Sequence, residues 1–163
     1  MSAVTDPAIV AAIQSDTATL AWLQGQCFDD PWGRVGFGRM LSLPGAFALI
    51  CRTTLQRGRV SVGFAVCQVV GEQAELLTLG VLPERRREGH ARRLLAESCA
   101  RARQRGAGHM FLEVAEDNLP GQVLYKSFGF VVVGRRPGYY RDQMGRRVAA
   151  LTMRRDIEPD HRP

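Results

Sequence analysis

Three consecutive arginines, at positions 85–87, precede a glycine and a helical pattern, and this combination suits the binding of an anion. Residues 79–82 have the pattern of an apolar strand, Pro83 interrupts it, and Gly89 opens an amphipathic helix. A helix start exposes unpaired N–H groups and the positive end of the helix dipole. With guanidinium groups beside it, such a turn can seat an anion such as a diphosphate. A run of arginines alone is more often a solvated turn, and its position before Gly89 favours the anion site.

The segments before this turn predict two helices and an antiparallel meander. Residues 8–13 are typical of a short strand, and Asp16 can cap a helix that runs to Cys27. The FDDPW segment, residues 28–32, ends that helix because proline lacks an N–H donor, and a second helical pattern covers residues 34–41. Short turns then join strands that the patterns predict at residues 46–53, 60–70 and 75–81. In the middle strand, alternation predicts one shared face for the side chains of Val60, Val62, Phe64 and Val66.

The segments after the turn predict a crossover and a second parallel strand. A helix over residues 89–105 is followed by a strand over residues 109–116. A strand, helix, strand crossover of this length makes the strands at 75–81 and 109–116 parallel. Alternation in the later strand places Met110, Leu112 and Val114 on one face and Phe111 and Glu113 on the other.

The rest of the chain completes a single α/β domain. Asn118 can cap a short helix that ends near Gly129, and two final strands follow at residues 130–140 and 147–155. Residues 158–163 are expected to form a disordered tail. The sequence therefore predicts one domain over residues 1–157 with a central mixed, mostly antiparallel sheet.

Composition narrows the class of protein. The chain has 163 residues and a net charge of +6, and Lys126 is its only lysine. Guanidinium groups favour bidentate recognition of phosphate and carboxylate, so a phosphorylated cofactor, a nucleic acid or an acidic partner would each fit. No apolar run is long enough for a signal peptide or a membrane span, which predicts a soluble cytoplasmic protein with no membrane partner. The cysteines show no CxxC pairing, which favours buried reduced thiols over metal ligands at Cys27, Cys51, Cys67 and Cys99.

Several spaced segments, taken in order, resemble the GNAT superfamily of acetyl-CoA-dependent N-acetyltransferases. They are LLTLGV, LPERRREGHARRLL, LEVAEDN, VLYKSFGF and GRRPGYY. With FDDPW near the start, the set is most similar to the RimI type, the ribosomal-protein alanine N-acetyltransferases. The resemblance implies helices on both faces of the sheet and a parallel strand pair that splays apart where acetyl-CoA binds. It covers residues 75–155 well and the earlier chain thinly.

The resemblance also implies a cofactor site around the arginine turn. The main chain of Leu79, Gly80 and Val81 would face the pantetheine and the acetyl carbonyl, and Asn118 would bond the pantetheine or nearby backbone. Backbone N–H groups would do most of the diphosphate binding. The turn residues that this implies are Arg86, Arg87, Gly89, His90, Ala91 and Arg92.

In the same resemblance Glu113 is the general base and Tyr125 is the general acid. Taken alone, a strand carboxylate is usually an ordinary ion-paired group, and a tyrosine on an amphipathic helix is usually a core aromatic. The chemistry nevertheless suits both residues, because a carboxylate can take the amine proton, directly or through one water, and a phenol can return one to the leaving thiolate. A free main-chain N–H near Gly80 or Val81 could stabilise the oxyanion. Tyr139, Tyr140 and Trp32 are candidate walls for the acceptor, against an equal or stronger expectation of packing.

The acceptor is the least determined feature. A peptide α-amine with a pKa near 8 loses its proton at pH 7 at a cost of roughly 1 kcal/mol, against about 4 to 5 kcal/mol for a lysine side chain. A protein N-terminus, with a ribosomal protein as one candidate, is therefore the favoured acceptor. Two alternatives stay open: a small-molecule amine such as an antibiotic or polyamine, and a non-enzymatic basic module that binds nucleic acid. Ala115 and Gly121 depart from the RimI pattern, and Gly80 stands where relatives often have alanine.

Overall fold

A seven-stranded mixed sheet forms the centre of the protein, with strands in the order β1-β2-β3-β4-β5-β7-β6. The computed structural model describes residues 7–157, and the tail predicted at 158–163 lies outside that range. The strands are β1 Ala8–Ala11, β2 Ala46–Leu55, β3 Gly58–Val70, β4 Gln73–Val81, β5 His109–Ala115, β6 Val131–Arg141 and β7 Arg147–Asp156. The helices are α1 Thr17–Cys27, α2 Gly33–Leu41, α3 His90–Gln104 and α4 Leu119–Ser127.

Two hydrophobic clusters lie on opposite faces of the sheet. One cluster lies under α3 and includes Leu94, Leu95 and Met110, and partly buried residues of α4 pack against it. The other lies under α1 and α2 and includes Leu20 and Phe37. Helices therefore cover both faces, and the predicted α/β architecture is confirmed. Among residues 7–157, no helix is both long enough and apolar enough to span a bilayer.

The predicted single face of β3 is wrong, because a bulge divides the strand. Cys51 pairs with Gly63 and the next residue, Arg52, pairs with Ser61, so Val62 is an extra residue in β3. An extra residue shifts the alternation by one position. As a result, Val60 and Val62 pack in the α3 cluster, whereas Phe64 and Val66 pack in the α1/α2 cluster.

The parallel strands β4 and β5 separate after a short ladder. They pair only from Gln73 to Leu76 on β4 and from His109 to Leu112 on β5. Each strand stays bonded on its other side, β4 to β3 as far as Val81 and β5 to β7 as far as Ala115. A register shift between β3 and β4 leaves Leu77 as an extra residue of β4, at the point where the separation begins. The predicted splay of the parallel pair is confirmed.

Gly80 lies in the separated half of β4, where its backbone makes a close approach to a buried ring. A Cβ at this position would lie 2.7 Å from Cε1 of Phe64 and 3.0 Å from Sγ of Cys27. Phe64 is fully buried and also packs edge-on against Phe37, so it has little freedom to move. The glycine thus allows Phe64 to fill the interior beneath β4.

We expect Gly80→Ala to lower the free energy of unfolding by about 1–3 kcal/mol, because the added methyl overpacks this site. Urea unfolding followed by circular dichroism measures the change. Gly25→Ala is the matched control, since Gly25 is exposed in α1 and its Cβ would meet nothing within 4 Å. That substitution is expected to stabilise the protein by about 1 kcal/mol through helix propensity. Equal effects of the two alanines would contradict the packing argument.

Candidate active site

The gap between β4 and β5 opens into a cavity of about 1300 Å³. Its walls come from the second half of β4, the turn before α3, the end of β5, and α4. The end of α1 with the loop that follows it, and the β6–β7 hairpin, complete the lining. The cavity exceeds the range of about 300–1,000 Å³ typical of drug-sized ligands, so it can hold a long ligand beside a second molecule.

The turn before α3 has the backbone conformation of an anion site. Arg87 has φ 63° and Gly89 has φ 83°, so two left-handed residues flank Glu88. The N–H of Arg93 is the first to bond within the helix, at 3.2 Å to the Gly89 carbonyl. The N–H groups of the residues before it, from the start of α3, therefore have no intrahelical acceptor. Left-handed turns and free N–H groups together form a concave site for an anion.

The predicted anion-site residues all lie in the wall of the same cavity, but their side chains differ in what they contact. Nε of Arg86 donates to the carbonyl of Val81 at 3.2 Å. Arg92 donates to Oγ of Ser127 at 3.0 Å, which connects α3 to α4. The ring of His90 is buried, with 3% exposed, so its backbone N–H is the group that can face an anion.

Val81 and Leu79 present main-chain groups to the gap. The N–H of Leu82 donates to the carbonyl of Val62 on β3 at 2.9 Å. Successive N–H groups of a strand point to opposite edges, so that of Val81 points to the open edge. By the same alternation, the N–H of Leu79 points the same way as that of Val81. A donor therefore lies where β4 has no strand partner.

Glu113 lies on β5 just past the last residue that pairs with β4. Its side chain is 20% exposed, and Oε1 is 3.4 Å from Nε of Arg136. Phe111 and Glu113 lie on the face opposite the buried Met110, Leu112 and Val114, as the alternation predicted. Glu113 thus places a partly accessible carboxylate in the cavity wall.

Tyr125 lies on α4 in the wall of the same cavity, with its ring edge-on to Phe130 at a centroid distance of 6.0 Å. Burial, with a smaller effect from Tyr140, raises the pKa of Tyr125 to about 12. Burial also raises the pKa of Tyr140, and the charge of Glu113 adds to that shift. Tyr140 therefore lies close enough to Glu113 for that charge to raise the pKa of Tyr140, and close enough to Tyr125 to raise the pKa of Tyr125. A phenol with so high a pKa stays protonated at neutral pH and can donate a proton or a hydrogen bond.

The three predicted acceptor-wall aromatics do not share one position. Tyr140 and Trp32 line the cavity. Tyr139 is 53% exposed, and its ring meets that of Tyr140 edge-on at 5.0 Å. Trp32 also packs on Phe37, with 5.1 Å between the ring centroids, so it has a packing role in the fold.

Asn118 caps α4, as the sequence predicted, because its side-chain oxygen accepts from the N–H of Gly121 at 3.0 Å. The residue also lies in the cavity wall. Cys51, Cys67 and Cys99 are buried thiols, whereas Cys27 is half-buried in that wall. Within residues 7–157 no group of three or more His, Cys, Asp or Glu side chains is arranged to hold a metal.

The sequence did not predict a polar contact between the β6–β7 turn and the loop after α1. Nε2 of Gln143, in the β6–β7 turn, donates to Asp29 in the loop after α1 at 3.2 Å. The FDDPW segment gives no sign of it, because the pattern indicates only where a helix ends. Arg85 also lines the cavity and is absent from the predicted cofactor residues, although it belongs to the same run of arginines.

Known proteins share both the sequence pattern and the fold. Residues 17–130 match the Acetyltransferase (GNAT) family. The chain is 37% identical over 163 residues to the N-alpha-acetyltransferase RimI of Mycobacterium tuberculosis, in a match that covers 96% of this chain and 97% of that protein. It is 33% identical over 123 residues to the ribosomal protein bS18-alanine N-acetyltransferase of Haemophilus ducreyi, where the match covers 76% and 81%.

A solved structure has the same fold at lower identity. The crystal structure of the ribosomal-protein-S18-alanine N-acetyltransferase from Escherichia coli matches with a TM-score of 0.82. The match covers 96% of this chain and 99% of that one, at 24% identity. At 24% identity, this likeness shows a shared fold, the arrangement of strands and helices, and no more.

Proposed function

The chain belongs to the GNAT family of acetyltransferases, and from that premise we propose that it acetylates the N-terminal α-amine of a protein. It is an acetyl-CoA-dependent N-acetyltransferase. One observation carries the proposal: Glu113 lies at one side of the gap between β4 and β5, and the turn before α3 lies at the other. This turn, residues 84–89 with the start of α3, is called the anion-binding turn below. A thioester donor and an amine acceptor can therefore meet inside the sheet.

The anion-binding turn fits the diphosphate of acetyl-CoA. Free N–H groups from Gly89 to Arg92 and the side chain of Arg87 would hold it, as at other helix N-termini. The open edge of β4, from Leu79 to Val81, and Asn118 would bind the pantetheine arm. The thioester supplies an acyl group that an unprotonated amine can attack.

Glu113 would act as the general base. Its side chain lies in the cavity wall and is 20% exposed, so its carboxylate can take a proton from the amine directly or through one water. Arg136 contacts the same carboxylate at 3.4 Å and helps to hold it at the wall. The N–H of Val81 would donate to the carbonyl oxygen as negative charge develops there.

Tyr125 would act as the general acid. Because burial raises its pKa to about 12, the hydroxyl stays protonated at neutral pH. As the C–S bond breaks, the phenol would donate a hydrogen bond to the sulfur, where negative charge develops, and would pass it a proton that solvent then replaces on the phenol. Both substrates would be bound together, so that proximity supplies part of the rate enhancement and no acyl-enzyme is needed.

The family relatives support a peptide acceptor. The two relatives described above are named for α-amine or ribosomal-protein alanine acetylation. Deprotonating an α-amine at pH 7 costs about 3 kcal/mol less than deprotonating a lysine side chain, because their pKa values differ by roughly 2.4 units. The α-amine is therefore the easier of the two acceptors for a single general base to deprotonate.

A substrate panel tests the acceptor. We expect peptides with a free N-terminus, among them alanine-initiated ones, to release CoA at least tenfold faster than small amines at equal concentration, where tenfold equals about 1.4 kcal/mol in the barrier. The same peptides blocked by N-terminal acetylation serve as controls and should give no CoA release. Turnover of a polyamine or an aminoglycoside with none of the peptides would replace the peptide acceptor by a small-molecule one.

A further inference from the structure

In the anion-binding turn, the Glu88 carboxylate contacts one side chain before it in the sequence and one after it. Its Oε2 lies 3.0 Å from a terminal nitrogen of Arg85 and 2.9 Å from Nε2 of His90. On the far side of the imidazole, Nδ1 of His90 lies 3.6 Å from Sγ of Cys51 on β2. A chain of contacts therefore runs from the turn to the interior of the protein.

A neutral imidazole satisfies every contact in this chain. Burial raises the pKa of the Cys51 thiol, so its S–H is retained and can donate to Nδ1. The Nε2–H then donates to the Glu88 carboxylate, and a guanidinium N–H of Arg85 donates to the same oxygen. His90 is only 3% exposed, so the carboxylate is fixed to a group that cannot move freely.

The two contacts of Glu88 each span a left-handed residue. Arg85 and Glu88 lie on either side of Arg87, whose φ is 63°, and Glu88 and His90 lie on either side of Gly89, whose φ is 83°. A non-glycine residue such as Arg87 keeps this conformation only where its surroundings hold it. The residues of the turn whose N–H groups have no intrahelical acceptor, Gly89 to Arg92, line the cavity.

We propose that Glu88 is a positioning residue of the cofactor site, which holds the anion-binding turn in its binding conformation through Arg85 and His90. The inference rests on the proposed function, since it takes the diphosphate of acetyl-CoA as the anion. Glu88 is 41% exposed and acts through the turn, without contact to the reacting atoms. It is thus an acidic side chain that promotes the binding of an anion.

The charge of Glu88, considered alone, predicts the opposite effect on anion affinity. A carboxylate beside a diphosphate repels it, so removing the charge should tighten binding if Glu88 did nothing else. Removing a contact that holds the turn should weaken binding, because ordering the turn would then oppose the free energy of binding. The direction of the change in affinity therefore separates the two roles.

The test compares substitutions at Glu88 with one at Glu84, an exposed carboxylate in the same turn. Calorimetry with CoA measures Kd, and initial rates give the KM for acetyl-CoA and kcat. We expect Glu88→Ala to raise Kd and KM about five- to tenfold, while kcat at saturation changes little. A tenfold change in Kd corresponds to about 1.4 kcal/mol. Glu84→Ala removes the same charge and should leave Kd unchanged or lower it.

Two further variants separate geometry from charge. Glu88→Asp keeps the charge but is one methylene too short to contact both partners, and Kd should rise. Glu88→Gln loses the charge but keeps an oxygen acceptor, and should restore most of the wild-type affinity. Because Glu88 is partly exposed, the melting temperatures of these variants should stay close to that of the wild type.

Equal or tighter CoA binding by both Glu88→Ala and Glu88→Asp would overturn the positioning role. If either variant loses its fold, the other still tests the role, since weaker binding is expected in each. The proposed function fails separately, when the wild-type protein itself binds no CoA. A wild type that binds CoA and acetylates peptides, with Glu88 variants unchanged, removes only the role of Glu88.

Discussion

Glu113→Gln is expected to lower kcat by about 10²–10³-fold at neutral pH, because general base catalysis typically contributes about 10²–10⁴-fold. Glutamine has nearly the same shape as glutamate and can still accept a hydrogen bond from Arg136, which now contacts the carboxylate at 3.4 Å. It cannot take a proton from the amine. Steady-state rates with saturating peptide and acetyl-CoA measure the loss, and calorimetry should find CoA affinity within about twofold of wild type, a difference of roughly 0.4 kcal/mol.

The pH profile gives this prediction its sharpest form. Below the α-amine pKa of about 8 most of the acceptor is protonated and a base is needed, whereas at higher pH the free amine accumulates on its own. The gap between wild type and Glu113→Gln should therefore narrow as the pH rises from about 6 to 9. Glu116→Gln is the control, because Glu116 pairs with Arg135 outside the cavity wall. A constant ratio of wild-type to Glu113→Gln rates across that range would remove the base role.

Tyr125→Phe is expected to lower kcat by about 10–10²-fold, since it removes the proton donor but keeps the ring. Phenylalanine preserves the edge-on contact with Phe130 at 6.0 Å, so the helix should keep its place. The sign of the pH effect follows from the raised pKa of about 12. The hydroxyl is protonated throughout the range in which the enzyme is assayed, so loss of the tyrosine proton should not contribute a fall in wild-type rate below about pH 11.

A change of leaving group separates acid catalysis from packing at Tyr125. An acetyl thioester whose thiol is more acidic than that of CoA needs less help from an acid, so the defect of Tyr125→Phe should shrink with that donor. A purely structural defect would be the same with both donors. That second outcome, or full activity of the variant with acetyl-CoA, would leave Tyr125 as a packing residue.

The sequence was informative wherever a local pattern determines local structure. The helix α3 follows from the apolar spacing after Gly89, and the cap of α4 from the asparagine before Pro120. The parallel pairing of β4 and β5 follows from the length of the crossover between them. Segment by segment, the resemblance to a known family also predicted the family and the splay, and both are confirmed.

Features that depend on distant contacts were beyond the sequence. The extra residue at Val62 is defined by how β3 pairs with β2, and nothing in the alternation of β3 itself announces it. Glu113 meets Arg136, and Cys51 meets His90, only because the fold brings separate segments together. The left-handed conformation of Arg87 likewise has no signal in an arginine-rich run. The catalytic roles of Glu113 and Tyr125 stay predictions.

The separation of β4 from β5 has a consequence for the protein's contacts with other chains. Unpaired strand edges normally invite strands from neighbouring molecules, and proteins shield them with charges, prolines or covering elements. Here the two open edges face each other inside the molecule, beyond residues Leu76 and Leu112, and the loop after α1 and helix α4 wall them in. A narrow, flexible ligand can enter between these edges, but a β-strand of another molecule cannot. The unpaired N–H and C=O groups thus stay available to a ligand without forming an exposed edge that would promote aggregation.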